Sequence, residues 1–203
     1  MLSPSCEPGV SSVLEALRNA TRSRHAALAA IPAMARLFDS TYTLSEYRAH
    51  LGRLLGLFEP LERAVAAATT PGDPVRGLRR SGALIDDLFA MGASAPYIDS
   101  LERYAGFGPI DPAGLQGYAY VVLGSMMGAK IIVRRLRAVL GTETSFRFYG
   151  DGSGRSDSLW ASFCSDLGKN GKDNVPAICA TAVTIFDAYA AWLSVPTMLA
   201  GSR

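Results

Sequence analysis

Apolar residues recur along this chain at steps of three and four, and no stretch alternates with the period of a strand, so the pattern predicts helices and no sheet. The first helix is expected from Ser12 to about Ala30. Ser12-x-x-Glu15 has the form of a capping box, in which hydroxyl and carboxylate each satisfy the other's backbone amide. A second box, Thr43-x-x-Glu46, opens a helical stripe of Leu44, Tyr47, Leu51, Leu54, Phe58, Leu61 and Val65. Pro60 lies inside that stripe without an amide proton, which predicts a kink between Gly56 and Pro60. TTPGDPVRG reads as a loop, and Leu84, Ile85, Leu88 and Met91 as a shorter helix stopped at Gly92. Ala93 to Pro112 is mostly connection, with room for one short helix around Tyr97 to Tyr104. Asp111 as cap and Pro112 at the first helical position start a long helix that Gly141 closes after Leu140. Beyond the glycine-rich turn GDGSG, helices are expected over Ser156 to Leu167 and Pro176 to Leu193. The expected fold is all-α, six to eight helices in one domain over 11–195, with 1–10 a flexible N-terminus and 196–203 a tail.

Two of these helices have unusual faces. With Leu14 at 0° on a helical wheel, Leu17, Thr21, His25 and Leu28 fall at about 300°, 340°, 20° and 320°, so His25 lies within the apolar stripe; Arg18, at about 40°, shares its face. The imidazole is then either a core histidine with ordinary hydrogen bonds or a ligand to something bound. The helix from Asp111 carries Gly114, Gly117, Gly124 and Gly128, which fall at about 60°, 0°, 340° and 20° when Gly117 is the origin. Each glycine weakens a helix interior by roughly 1 kcal/mol relative to alanine, so something must approach this face closely. A second helix packed through Gly124-x-x-x-Gly128 would do so, and so would a flat ligand lying on bare backbone.

Composition narrows the classes. The chain has 203 residues, enough for one domain with a sizeable core, and its 49% hydrophobic and 19% charged residues are those of a globular protein. A net charge of +2 gives no support for nucleic-acid binding, although the basic side is almost all arginine, which suits bidentate contacts with carboxylates. Cys6, Cys164 and Cys179 form no CxxC, which points to neither a disulfide framework nor a zinc site and fits a reducing, cytoplasmic setting. MLSPSCEPGV lacks the basic and apolar runs of a secretory signal. The apolar stretch Ala177 to Leu193 is interrupted by Asp187 and reads as a buried helix in place of a membrane span. His50 reads as a boundary or surface residue, Gly150 to Gly154 as a plain loop, and one of Asp86 and Asp87 as a structural partner, because adjacent helical residues point about 100° apart. Phe163, Phe186, Tyr189 and Trp192 read as core or cavity wall.

Leu17-Arg18-Asn19-Ala20-Thr21 followed by His25, Leu44 to Glu62, LIDDLFAMG over 84–92, Tyr120-Val121-Val122-Leu123-Gly124-Ser125-Met126-Met127-Gly128, Phe148-Tyr149-Gly150 and Trp160-x-x-Phe163 occur here in one order and spacing. In these stretches, over nearly its whole length, the sequence resembles the haem oxygenase family, particularly its bacterial members associated with phytochromes. The resemblance implies a haem held between an imidazole and a glycine-lined helix, with His25 as the iron ligand. It implies Gly124 and Gly128 as the glycines facing the ring and Ser125, or an ordered water, as a hydrogen-bond donor on that side, so that Gly124, Ser125 and Gly128 are its catalytic set. Arg18 stands where the family keeps a basic residue for a haem carboxylate, with Tyr120 a second candidate; Thr21 belongs to the same proximal segment. The implied reaction opens haem to biliverdin, carbon monoxide and ferrous iron, with O2 and an external donor such as a ferredoxin, and a bacterial phytochrome as acceptor of the product.

Two positions depart from the family pattern. Ala29 replaces the usual glutamate that holds the proximal imidazole through its ring N–H, and Leu123 replaces the acidic residue before the distal Gly-Ser, with Met126 and Met127 making that segment bulkier. These departures keep two other readings open: a haem carrier or sensor without turnover, and a different enzyme on the same scaffold, resembling the thiaminase-like or pyrroloquinoline quinone synthase-like proteins.

Overall fold

The structure, a computed structural model, describes residues 8–150 and 155–195; the expectations for the first residues, for most of the GDGSG turn and for the tail fall outside these. Among these residues eight α-helices follow in order: α1 Pro8–Ala30, α2 Pro32–Ala35, α3 Leu44–Ala68, α4 Ser81–Ala90, α5 Ala95–Ser100, α6 Leu115–Leu140, α7 Arg155–Asn170 and α8 Val175–Ser194. No strand occurs among the described residues.

Local chemistry accounts for most of the boundaries. Thr43 and Glu46 close their capping box: the Glu46 amide donates to Thr43 Oγ1 at 3.2 Å, and the Thr43 amide to Glu46 Oε2 at 2.8 Å. Ser12 does not open α1, which begins a turn earlier at Pro8 and takes Ser12 into its body. Asp111 caps a short 3-10 turn, Pro112–Gly114, by accepting from the Ala113 amide at 2.9 Å, and α6 continues from there. Gly141 ends α6 with a φ of 88°, a conformation other residues rarely adopt.

Pro60 leaves the Gly56 carbonyl without its helical donor, and the Tyr104 amide supplies one at 2.8 Å. A side chain at Gly56 would collide with the Glu102 carbonyl, so glycine and proline together make a seat on α3 for the strand-like connection that follows α5. Arg53 lies over the Trp192 ring, 3.7 Å from guanidinium carbon to ring centroid, and Trp192 Nε1 donates to the Arg53 carbonyl at 2.7 Å. That pair fastens the end of α8 to α3.

α8 is the central helix. By length and composition alone the segment Lys172–Ser194 is long and apolar enough to cross a membrane, a test that the core helix of a bundle also passes. In this fold its apolar faces pack against α1 and α6, and Ile178, Ala182, Ile185 and Phe186 are buried there. α1 and α6 pack in turn on α7. They therefore stand on a common floor of α7 and α8, and the space between them is the candidate site.

Candidate functional site

α6 is tied to α1 and to the turn that follows it. The Thr21 hydroxyl of α1 lies 3.3 Å from the Tyr120 hydroxyl of α6. Beyond α1 the chain turns through α2 and a 3-10 turn, Arg36–Phe38, which packs on α6, and Arg135 Nε donates to the Phe38 carbonyl at 3.1 Å. Arg36 holds that turn in place by bonding Glu46 at 2.9 Å and the Thr41 hydroxyl at 2.9 Å. The two ties come in the same order along both segments. His25 stands one turn past Thr21 on α1, and Gly124 and Gly128 stand one and two turns past Tyr120 on α6. Tyr120 and Arg135 are separated by about 22 Å of helix, long enough for an extended planar ligand between the ties.

The glycine face divides in two. Gly114 and Gly117 meet α8: a β-carbon on Gly117 would come 2.9 Å from the Ala182 nitrogen and closer still to the Ile178 carbonyl, and one on Gly114 would come 3.0 Å from the Ala177 carbonyl. Those two exist for helix packing. At Gly124 and Gly128 no described atom lies within 4 Å of such a carbon. The helix packing expected through Gly124 and Gly128 occurs instead at Gly114 and Gly117, and the middle of the helix is left as bare backbone.

His25 is exposed, which removes the reading of a packed core histidine. Its ring meets Phe186 of α8 edge-on, with centroids 6.1 Å apart at 68°, and next to it Arg24 Nε pairs with Asp187 at 2.7 Å. These contacts fix α1 on α8 on either side of the imidazole. Arg18 is exposed on α1, one turn before Thr21. Ser125 is exposed beside Gly124, and its hydroxyl donates to the Val122 carbonyl at 2.7 Å. Its proton is committed to its own helix in this arrangement, so toward the groove it acts as an acceptor.

The departures fall in different places. With Gly124 at 0°, Gly128 lies at about 40°, Leu123 at about 260° and Met126 at about 200°. Leu123 and Met126 are accordingly buried in the core, 2% and 8% exposed, and do not fill the glycine face as expected; Met127 is half-buried beside it. Ala29 is exposed one turn past His25.

Other polar residues belong to the framework. His50 is buried, against the expectation of a surface residue: Nε2 sits 2.6 Å from the Tyr149 hydroxyl, and burial pushes its pKa from 6.5 down to about 4. That partner is about 100 residues away in sequence, and no local pattern announces it. Asp87, fully buried, accepts from Ser145 Oγ at 2.5 Å, the Arg147 amide at 2.8 Å and the Phe148 amide at 2.9 Å, while Asp86 pairs outside with Arg147 at 2.9 Å. Buried Glu62 accepts from the Arg80 and Ser81 amides at 2.5 and 3.0 Å. Both acids cap turns, and among the described residues no three His, Cys, Asp or Glu side chains come together as a metal site.

The bundle thus has a central helix carrying two walls, one with an exposed imidazole set against Phe186 and the other with bare backbone. The haem oxygenase family model matches residues 11–194, and the chain belongs to that family. No curated protein matches the sequence. Among solved structures it is similar to the haem oxygenase of Leptospira interrogans, at 17% identity and a TM-score of 0.68, over 90% of this chain and 98% of that one. It is also similar to haem oxygenase-1 from the cyanobacterium Synechocystis, solved in complex with haem, at 16% identity and a TM-score of 0.62, over 89% and 90% of the two chains. At these identities the likeness is one of fold.

Proposed function

We propose that this protein binds haem with His25 as the axial ligand and opens it to biliverdin, carbon monoxide and ferrous iron, drawing on O2 and an external electron donor of the ferredoxin kind. The observation that supports the reading is the uncovered backbone of Gly124 and Gly128 on α6, one and two turns past Tyr120, whose hydroxyl meets α1 one turn before the exposed His25. A flat ring fits there because the wall opposite the imidazole offers no side chain to keep it away. Bound haem would supply the iron at which O2 is reduced and the ring that is opened.

The chain's own residues have separate tasks in this reading. His25 holds the ring from one side through a ring nitrogen, and Phe186 limits the tilt of the imidazole. Gly124 and Gly128 let α6 come within van der Waals reach on the other side and exclude bulk water from that face. The Arg18 guanidinium is suited to a propionate carboxylate, whose geometry its fork matches. Ser125 accepts a hydrogen bond from a water in the groove, which can then donate onward. Because Leu123 points into the core, the missing acid at that position leaves the groove face intact. The setting is cytoplasmic in this reading, and a bacterial phytochrome is the proposed acceptor of the product.

A second reading, a haem carrier or sensor, is favoured by Ala29, which gives His25 no carboxylate from its own helix, and by the inward bond of Ser125. One titration separates the readings. Haemin added to the purified protein gives a one-to-one complex with a Soret band, and His25→Ala loses the protein-derived axial ligand. Ascorbate or a ferredoxin system under air then bleaches that band and raises biliverdin absorbance. Absence of any Soret shift refutes both readings; a stable oxygenated complex leaves the carrier.

A further inference from the structure

We propose that Tyr149 and His50 form a buried redox pair: a one-electron oxidant draws its electron from the Tyr149 ring while the phenol proton crosses the hydrogen bond to His50. The oxidant it serves is haem oxidised by hydrogen peroxide, and that link rests on the haem reading above. Tyr149 Oη lies 2.6 Å from His50 Nε2, with the two rings nearly parallel at 11° and their centroids 6.1 Å apart. Both residues are buried, each 7% exposed. Burial keeps the imidazole neutral, its pKa pushed down to about 4, so Nε2 accepts and the phenol donates. A phenol that has lost an electron is a far stronger acid than an imidazolium, so its proton moves to Nε2. The products are a neutral tyrosyl radical and the His50 imidazolium. One electron leaves, one proton shifts between two bonded partners, and none is exchanged with water; when the electron returns, the proton follows it back.

Two further observations select this phenol. Tyr47 buries its hydroxyl without a hydrogen-bond partner among the described residues, and the Tyr118 hydroxyl donates to the Leu78 carbonyl at 3.4 Å. Neither has a base, so oxidation there leaves a charged ring in the core. Tyr149 also stands at the end of a run of rings that starts at the groove. Phe186 meets His25 edge-on, centroids 6.1 Å apart, and Tyr189 follows it one turn later on α8. Tyr189 meets Phe58 at 6.0 Å, Phe58 meets Phe148 at 5.3 Å, and Phe148 meets Tyr149 at 4.9 Å. Tyr149 then refills one of the two electrons that hydrogen peroxide takes from bound haem; the other, and the one Tyr149 gave, return from the external donor. The radical is held away from the groove walls and from solvent.

The test uses the full chain in two arms. Azide radicals from pulse radiolysis oxidise the haem-free protein, and absorbance follows the electron vacancy to its resting place. The haemin complex is frozen after addition of hydrogen peroxide and read by electron paramagnetic resonance. In both arms the parent should end as a neutral tyrosyl radical, and in the first arm that radical should form more slowly in deuterium oxide, because a proton moves with the electron. Tyr149→Phe should lose the signal. His50→Gln, which keeps a hydrogen bond and takes up no proton, should lose most of it together with the deuterium effect, while Tyr47→Phe should behave as the parent. A tyrosyl signal unchanged in Tyr149→Phe or His50→Gln overturns the pair, as does its loss in Tyr47→Phe. A parent radical that rests on tryptophan, or that forms without a deuterium effect, overturns it too, and these two measurements need no variant to fold. A tyrosyl radical in the azide arm alone, on protein that binds haemin, overturns the link to the groove. Failure of the parent to give a Soret band sinks the haem reading instead, and the azide arm still decides the pair.

Discussion

Replacing glycines in α6 by alanine should divide them into two classes with opposite signs. In the haem-free protein Gly124 and Gly128 meet nothing within 4 Å among the described atoms, so an added methyl has no overlap to pay for and the helix gains the propensity difference, about 1 kcal/mol per site. For a chain of this length 1 kcal/mol moves the unfolding midpoint by about 2–4 °C, so the double variant Gly124→Ala/Gly128→Ala should unfold roughly 4–8 °C higher. Gly117→Ala places a β-carbon against the backbone of Ile178 and Ala182 on α8, and α6 and α8 must separate. Overpacking of that kind costs about 1–3 kcal/mol, which outweighs the propensity gain. Haemin reverses the order of merit. Two methyls in the groove keep the ring from the α6 wall at a similar cost of about 1–3 kcal/mol, so the stabilised double variant should bind haemin roughly five- to a hundredfold more weakly. Thermal unfolding followed by circular dichroism, with and without haemin, reads both quantities. The reasoning is refuted if Gly124→Ala and Gly128→Ala destabilise the haem-free protein as Gly117→Ala does, because the groove wall would then be a packed interface.

Two predictions concern the framework. His50 has a pKa near 4 in the fold against 6.5 unperturbed, so the unfolded chain takes up its proton first as the pH falls; the stability tied to neutral His50 is complete above about 6.5 and is lost on going down to 4, roughly 3 kcal/mol. His50→Gln, which can keep a bond to Tyr149 and does not titrate, should flatten that acid limb in urea unfolding measured across the same window, and an unchanged limb would assign it elsewhere. Asp87→Ala strips three donors of their acceptor in a buried turn and should lower the unfolding free energy by about 3 kcal/mol or more, whereas Asp86→Ala, on the exposed side of the same turn, should change it by less than about 1 kcal/mol.

Helix order was legible in the sequence because its signals are local. The Thr43–Glu46 box and the Gly141 stop each work within a few residues and appear where the pattern puts them, and Asp111-Pro112 opens a 3-10 turn that leads into α6 at Leu115. Ser12-x-x-Glu15 has the same letters and does not open a helix, since a box marks a start only if the chain before it leaves the helix, and here α1 extends back to Pro8. His50 was misjudged for a related reason: its neighbours on α3 say little about Tyr149, which a distant turn brings against it.

The groove was legible only by halves. A wheel puts four glycines on one face of α6 and cannot say which of them a neighbouring helix covers; that depends on where α8 crosses, at Ile178 to Ala182, and the crossing leaves the next two turns bare. The same limit applies to the departures. Leu123 beside Gly124 looks like a change to the site until the helix phase turns it into the core, whereas Ala29 remains exposed one turn past His25. A missing carboxylate beside an axial imidazole acts on the ring N–H and so on the electron donation of the ligand, without altering the space for haem. Ala29→Glu should therefore leave haemin stoichiometry at one and shift the ferric–ferrous potential downward, because a more basic imidazole favours the ferric state. An unchanged potential would mean that the imidazole N–H already has a partner in the folded protein.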